Sequence, residues 1–135
     1  MKVLLFERRF WPAVVSGDKV HTIRRPRKRP ICPGDKISLR GWEDKAYRSR
    51  QRVLCDETCL AVLDCWIDSQ GIVIKGHRLS EQCELDAFAV SDGFSDWDEM
   101  RSYHDFRSLP FSGELIQWGQ HAMLLDLLST PRVGP

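Results

Sequence analysis

The chain has 135 residues, 42% of them hydrophobic and 29% charged, with a formal net charge of +1. That supports one soluble globular domain with a real core and leaves too little chain for two. The small net charge hides an asymmetry: residues 1–52 hold 15 Lys/Arg against 5 Asp/Glu, and residues 53–135 hold 5 against 14.

A bipolar chain of this kind suggests a basic face aimed at a polyanion, with an acidic remainder that keeps the protein soluble. The other reading is that the two halves pair with each other across the fold. No apolar run approaches the ~20 residues a membrane helix needs. Arg8 and Arg9 close the run Val3-Leu4-Leu5-Phe6 before it reaches the length of a signal-peptide core. The expected location is the cytoplasm, and no membrane partner is expected.

In chain order, Val3 to Phe6 reads as a first strand. Phe10, Val14 and Val15 fit one face of a short helix with Pro12 in its first turn, and Gly17 stands where a C-capping glycine is expected. Lys19 then leaves from a turn. Val20 to Arg25 alternates as a half-exposed strand, with Val20, Thr22 and Arg24 on one face and His21, Ile23 and Arg25 on the other. Along a straight strand Lys19 and Thr22 would face opposite ways, roughly 10 Å apart. They meet only if the turn at Gly17-Asp18 folds the lysine back.

The loop from Arg25 to Lys36 carries Pro26, Pro30 and Pro33, which exclude regular helix. Its cations Arg25, Arg27, Lys28 and Arg29 are of the kind that contact phosphates, although a solvated loop looks the same in sequence. Pro33-Gly34-Asp35 is a turn, and Lys36 to Arg40 is a strand. Glu43 to Arg52 is polar and reads as a hairpin or loop. Between Val53 and Ile74 short apolar runs recur, and Asp68-Ser69-Gln70-Gly71 separates two of them as a hairpin turn. Glu84 to Val90 is helical in composition and breaks at Gly93. Ser95 with Asp98 makes a capping-box start. Trp97, Met100 and His104 then share a helical face beside Tyr103, with His104 read as a partly buried, satisfied histidine. Gly113 to Trp118 is a closing strand, His121 to Leu128 a strand or helix, and residues 129–135 a loose tail. The sum is one mixed α+β domain over residues 1–128, with about six short strands and two or three helices.

Cys32, Cys55, Cys59, Cys65 and Cys83 lack CxxC spacing, and no His is placed to complete a zinc set. They are expected to be buried thiols. Nothing calls for a metal or another cofactor.

Four stretches, in order, resemble one family. Gly17-Asp18-Lys19-Val20-His21-Thr22-Ile23-Arg24 resembles the G-x-K-x-x-T-x-R signature that opens the ASCH domain family. Pro33-Gly34-Asp35-Lys36-Ile37 is similar to its turn-and-strand segment, and Ala89 to Phe94 followed by Trp97 to Met100 resembles its acid-Gly-Phe segment. Phe111 to Ile116 is similar to its closing strand. The likeness covers residues 1 to 118. It implies a PUA-like fold, a small β-barrel with a cleft flanked by helices, and an association with RNA. One branch hydrolyses the amide of N4-acetylcytidine with a lysine, a threonine and a glutamate, and ribonuclease activity also occurs in the family. Carried over, the lysine falls on Lys19, the threonine on Thr22 and the acid on Asp92, one methylene shorter than the family's glutamate. The long basic loop favours a polymer substrate.

Three chemistries stay open. Thr22 can attack a carbonyl if Lys19, its pKa lowered by burial and by Arg24, takes the hydroxyl proton while Asp92 relays a proton to the leaving amine. Alternatively, charged Lys19 and Arg24 with Thr22 can clamp a phosphate or an oxyanion during RNA cleavage. The third reading is a module without chemistry that binds single-stranded RNA or a nucleotide. There Arg24, Arg25, Arg27, Lys28 and Arg29 hold phosphates while Tyr47, Trp11 or Trp42 stacks on bases.

Overall fold

A computed structural model describes residues 1–122, 124 and 125 of the chain. Among them the fold is mixed α+β, with eight strands in two sheets. In the three-stranded sheet β1 (Lys2–Leu5) runs parallel to β3 (Lys36–Trp42), and β3 pairs antiparallel with β4 (Gln51–Thr58). The five-stranded sheet has the order β2 (His21–Arg24), β8 (Phe111–Gln117), β5 (Ala61–Asp68), β6 (Gly71–Ile74), β7 (His77–Leu79), antiparallel throughout. The expected hairpin at Asp68–Gly71 joins β5 to β6, with Asp68 opposite Gly71.

Two strands exceed the expected six. β4 is an edge strand with little apolar alternation whose start reads as part of the polar loop, and β7 has only three residues. The loop expected over 43–52 yields its end to β4 and keeps residues 43–50.

Helix α1 (Trp11–Ser16) starts with Pro at its N-terminus and ends at Gly17, whose φ of 86° suits a glycine. Its buried face is Trp11 and Val14, three residues apart. Val15, one step further round the helix, is 63% exposed, which corrects the face expected for it. Trp11, expected as an exposed stacking candidate, is buried instead. Its indole donates to Phe6 O, and its ring lies where a side chain on Gly41 would have to stand.

Helix α2 (Gln82–Ser91) ends in a Schellman motif: Phe94 N donates to Ala89 O and Gly93 N to Val90 O, with Gly93 at φ 100°. Helix α3 (Trp97–Ser102) is capped by Asp96, which accepts from Glu99 N, while Glu99 reaches back to Ser95 N. The cap therefore sits one residue later than the Ser95–Asp98 box. Because α3 stops at Ser102, His104 lies outside it and is exposed, not part of the buried Trp97–Met100 face.

The core is formed by the inner faces of both sheets with Phe88, Ala89, Trp97 and Met100 of the helices. Cys59 and Cys65 are buried as expected, but Cys32 and Cys83 are exposed because each lies outside the packed sheet faces. No helix among the described residues is long and apolar enough to cross a membrane. The element expected over 121–128 falls largely outside the described residues, and the tail at 129–135 falls wholly outside them.

Candidate functional site

The turn after α1 meets the condition set by Lys19 and Thr22. Lys19 N donates to Ala13 O, which folds the chain back over the helix end, and both side chains line one cavity of about 190 Å³. Asp92 and Arg24 line it too. Lys19, Thr22 and Asp92 are each less than a tenth exposed. Nζ of Lys19 donates to Oδ1 of Asp92 at 2.8 Å and to its main-chain oxygen at 2.6 Å. That second acceptor lies at the C-terminal end of α2, where unpaired carbonyls favour a cation. Gly93 lets the cavity wall close here, since a Cβ there would stand 2.8 Å from the Phe10 ring.

Burial pulls the Lys19 ammonium below the ordinary lysine range. Asp92 opposes that shift and Arg24 adds to it. Burial alone would raise Asp92, but Lys19 and His21 overcome it and hold the carboxyl below its usual value. Arg24 donates from Nε to Thr22 Oγ1 at 3.1 Å and from Nη2 to Leu5 O at 2.7 Å. The threonine's own proton is thereby left for another acceptor.

The walls are aromatic. Phe10, Phe94 and Tyr103 pack edge-to-face with centroids 5.3–5.9 Å apart. Phe6 carries the Arg24 guanidinium 4.9 Å over its ring. At the exposed rim His104 lies 2.9 Å from both Glu7 and Asp105. The hydrogen bond to Glu7, with Asp105 beside it, raises the His104 pKa.

Sequence reasoning missed His21. Its ring is fully buried and stacks on Phe88, with Nε2 3.1 Å from Ser91 Oγ and Nδ1 3.1 Å from Asp92 Oδ1. The second contact is at ion-pair distance and helps hold the Asp92 carboxyl below its usual value. Asp92, His21 and Ser91 come in the order of a nucleophilic triad. Ser91, however, does not line the cavity, and its hydroxyl donates to Phe88 O at 2.6 Å. The rim acids Glu7 and Asp105 were also missed, since nothing local marks them.

The cations divide. Arg24 and Arg27 are turned onto the chain itself, donating to Leu5 O and Val3 O along the edge strand β1. An edge strand exposes main-chain acceptors, and these guanidinium groups each spend a donor on one. Arg25, Lys28 and Arg29 are exposed, with Arg25 4.9 Å over the Phe111 ring. Tyr47 is 85% exposed against Trp42 in the loop between β3 and β4, outside the cavity lining. Among the described residues no three His, Cys, Asp or Glu side chains are placed to hold a metal ion. Comparison with family models, with curated proteins and with solved structures finds no match to this chain.

Proposed function

We propose that the chain is an ASCH-like protein that hydrolyses an amide on a modified base, taken as a nucleoside or from an RNA strand. The observation that carries this is the convergence of Lys19, Thr22 and Asp92 on one aromatic-walled cavity. A nucleobase is flat and apolar on its faces, as the rings here require. The rim acids and the internal pairing of Lys19 and Arg24 disfavour a phosphate inside the cavity. Phosphates would instead lie on Arg25, Lys28 and Arg29, on the arm that continues β2 past β1.

The finer fold reading is a PUA-like barrel. It is supported by the seam between the two sheets, where Arg24 on the β2 edge bonds Leu5 on the β1 edge.

In the reaction, Thr22 Oγ adds to the amide carbonyl as Lys19 takes its proton. The C–N bond breaks as Lys19 returns that proton to the leaving nitrogen, and water then cleaves the ester on Thr22. Asp92 orients the amine through its two bonds. Arg24, already bonded to Thr22 Oγ1, favours the alkoxide.

A module that binds RNA without chemistry is the second reading, favoured by how completely Lys19 and Asp92 satisfy each other. Incubation with N4-acetylcytidine and, separately, with labelled single-stranded RNA distinguishes the possibilities. Released acetate supports the hydrolase, shortened RNA a nuclease, and a mobility shift with neither product the module.

A further inference from the structure

The face of the five-stranded sheet that bears Thr22 and Arg24 continues away from the cavity. In register, Arg24 lies opposite Glu114 on β8, and Glu114 lies opposite Asp64 on β5. Two residues along on the same face, Ser112, Trp66, Val73 and Arg78 form one row across β8, β5, β6 and β7. An open groove of about 280 Å³ is set into this face, lined by Asp64, Trp66, Val73, Gly76, Ser112 and Gly113. Trp66 is 41% exposed, whereas Trp11, Trp97 and Trp118 are buried and Trp42 is half-buried. Its ring is nevertheless held in one orientation. Nε1 donates to Asp68 Oδ2 at 3.0 Å, and the Arg78 fork grips both oxygens of Asp68 at 2.8 and 3.0 Å.

The groove reaches the root of the cationic arm. The Arg24 carbonyl closes on Gly113, where a Cβ would stand 2.5 Å from it, and Arg25 lies over the ring of Phe111, the neighbour of Ser112. We infer that the groove binds an unpaired base of a single-stranded nucleic acid, stacked on Trp66, in the strand whose phosphates lie on Arg25, Lys28 and Arg29. This rests on the reading of those three side chains as phosphate contacts.

The chemistry of the groove selects a base over other occupants. A fixed indole beside glycines at 76 and 113 is a platform with room above it, and every base has a face that stacks on such a ring. The exposed Asp64 carboxylate repels a phosphate from the groove but accepts N–H groups from a base edge, as the Ser112 hydroxyl also does. Neutral bases therefore fit the groove while the charges stay on the arm. In a duplex the base faces already stack on each other, so the partner is a single strand. Asp64 lies two strand spacings, roughly 10 Å, from Arg24. Nucleotides of one strand can span that distance, with one base in the cavity and a neighbour on Trp66. Trp66 does not line the cavity, so it holds the strand and takes no part in the chemistry.

Filter binding of a labelled single-stranded RNA of ~10 nucleotides, within the span such sites cover, tests this with the full chain. Trp66→Ala should weaken binding about tenfold or more and leave the salt slope unchanged, since stacking neutralises no phosphate. Trp66→Phe, which keeps a ring, should restore most of the affinity. Binding to a duplex of the same sequence should be indifferent to both variants. Undiminished affinity in a folded Trp66→Ala, a slope that falls with the affinity, or an equal loss on the duplex would overturn the inference. A second measurement uses the unaltered protein alone. Light-induced coupling of a strand bearing 5-iodouridine should leave an adduct on Trp66, and an adduct on Tyr47 with none on Trp66 would overturn the inference equally. Failure of the unaltered protein to bind the single strand would refute this site and the reading of the arm together. Failure to release acetate from N4-acetylcytidine, with binding still sensitive to Trp66, would refute the hydrolase reading alone.

Discussion

Lys19 and Asp92, 73 residues apart in sequence, are joined by two hydrogen bonds from a single nitrogen. Both side chains are nearly inaccessible to solvent. Removing one partner leaves an uncompensated buried charge, which costs about 3–5 kcal/mol, whereas replacing both by apolar groups can be neutral. Asp92→Ala should therefore lower the urea-unfolding free energy by about that amount, and Lys19→Met with Asp92→Leu should recover most of it. A double-variant loss equal to the sum of the Lys19→Met and Asp92→Leu losses would show that the pair is not energetically coupled.

Stability should rise with pH where Lys19, His21 and Asp92 titrate. Lys19 has a folded pKa below its ordinary 10.5, so between the two values the unfolded chain binds more protons and folding gains as pH rises. His21, lowered from 6.5, acts in the same sense on the acid side. Asp92, lowered from 3.8, contributes stability that is present above 3.8 and lost as pH falls through its folded value. His104 acts oppositely, but it is half exposed and screened. Urea midpoints should climb from acid through neutral into mildly alkaline pH, and Lys19→Met should flatten the alkaline part. An unchanged alkaline slope in that variant would contradict the assignment.

The arm predicts a salt dependence. Each phosphate neutralised on a single strand adds ~0.7 to the slope of log affinity against log salt. Replacing Arg25, Lys28 and Arg29 by Ala should reduce that slope by about 2. Arg27→Ala should chiefly cost stability, because its guanidinium holds Val3 O. Filter binding at several salt concentrations checks the first claim and thermal melting the second.

Gly93→Ala should destabilise by about 1–3 kcal/mol, because a left-handed conformation is strained for alanine. The new methyl also presses on Phe10. Calorimetry measures the loss, and a neutral result would mean that the α2 end can shift away from the cavity wall.

Part of this site was legible from local signals. Gly17 as a helix stop placed Lys19 in a turn, and Asp92 before Gly93 and Phe94 matched a recognisable segment. The rest depends on contacts that local periodicity does not encode. His21 read as one member of a half-exposed strand, and only the packing of α2 against β2 buries it beside Asp92. Arg24 and Arg27 looked like part of a cationic run, since nothing in sequence shows that β1 would present its carbonyls to them. His104 matched a helical spacing, but α3 ends before reaching it. The split into two sheets was hidden because β4, exposed along one edge, lacks the alternation by which strands are found.

The central claim is that Lys19 and Thr22 act together on an amide within this cavity. Its most direct test is acetate release from N4-acetylcytidine by the unaltered protein beside Thr22→Val and Lys19→Met, each confirmed folded. The account predicts release by the unaltered chain and a loss of about a hundredfold or more in either variant. No release by the unaltered protein, or undiminished release by Thr22→Val, would contradict it.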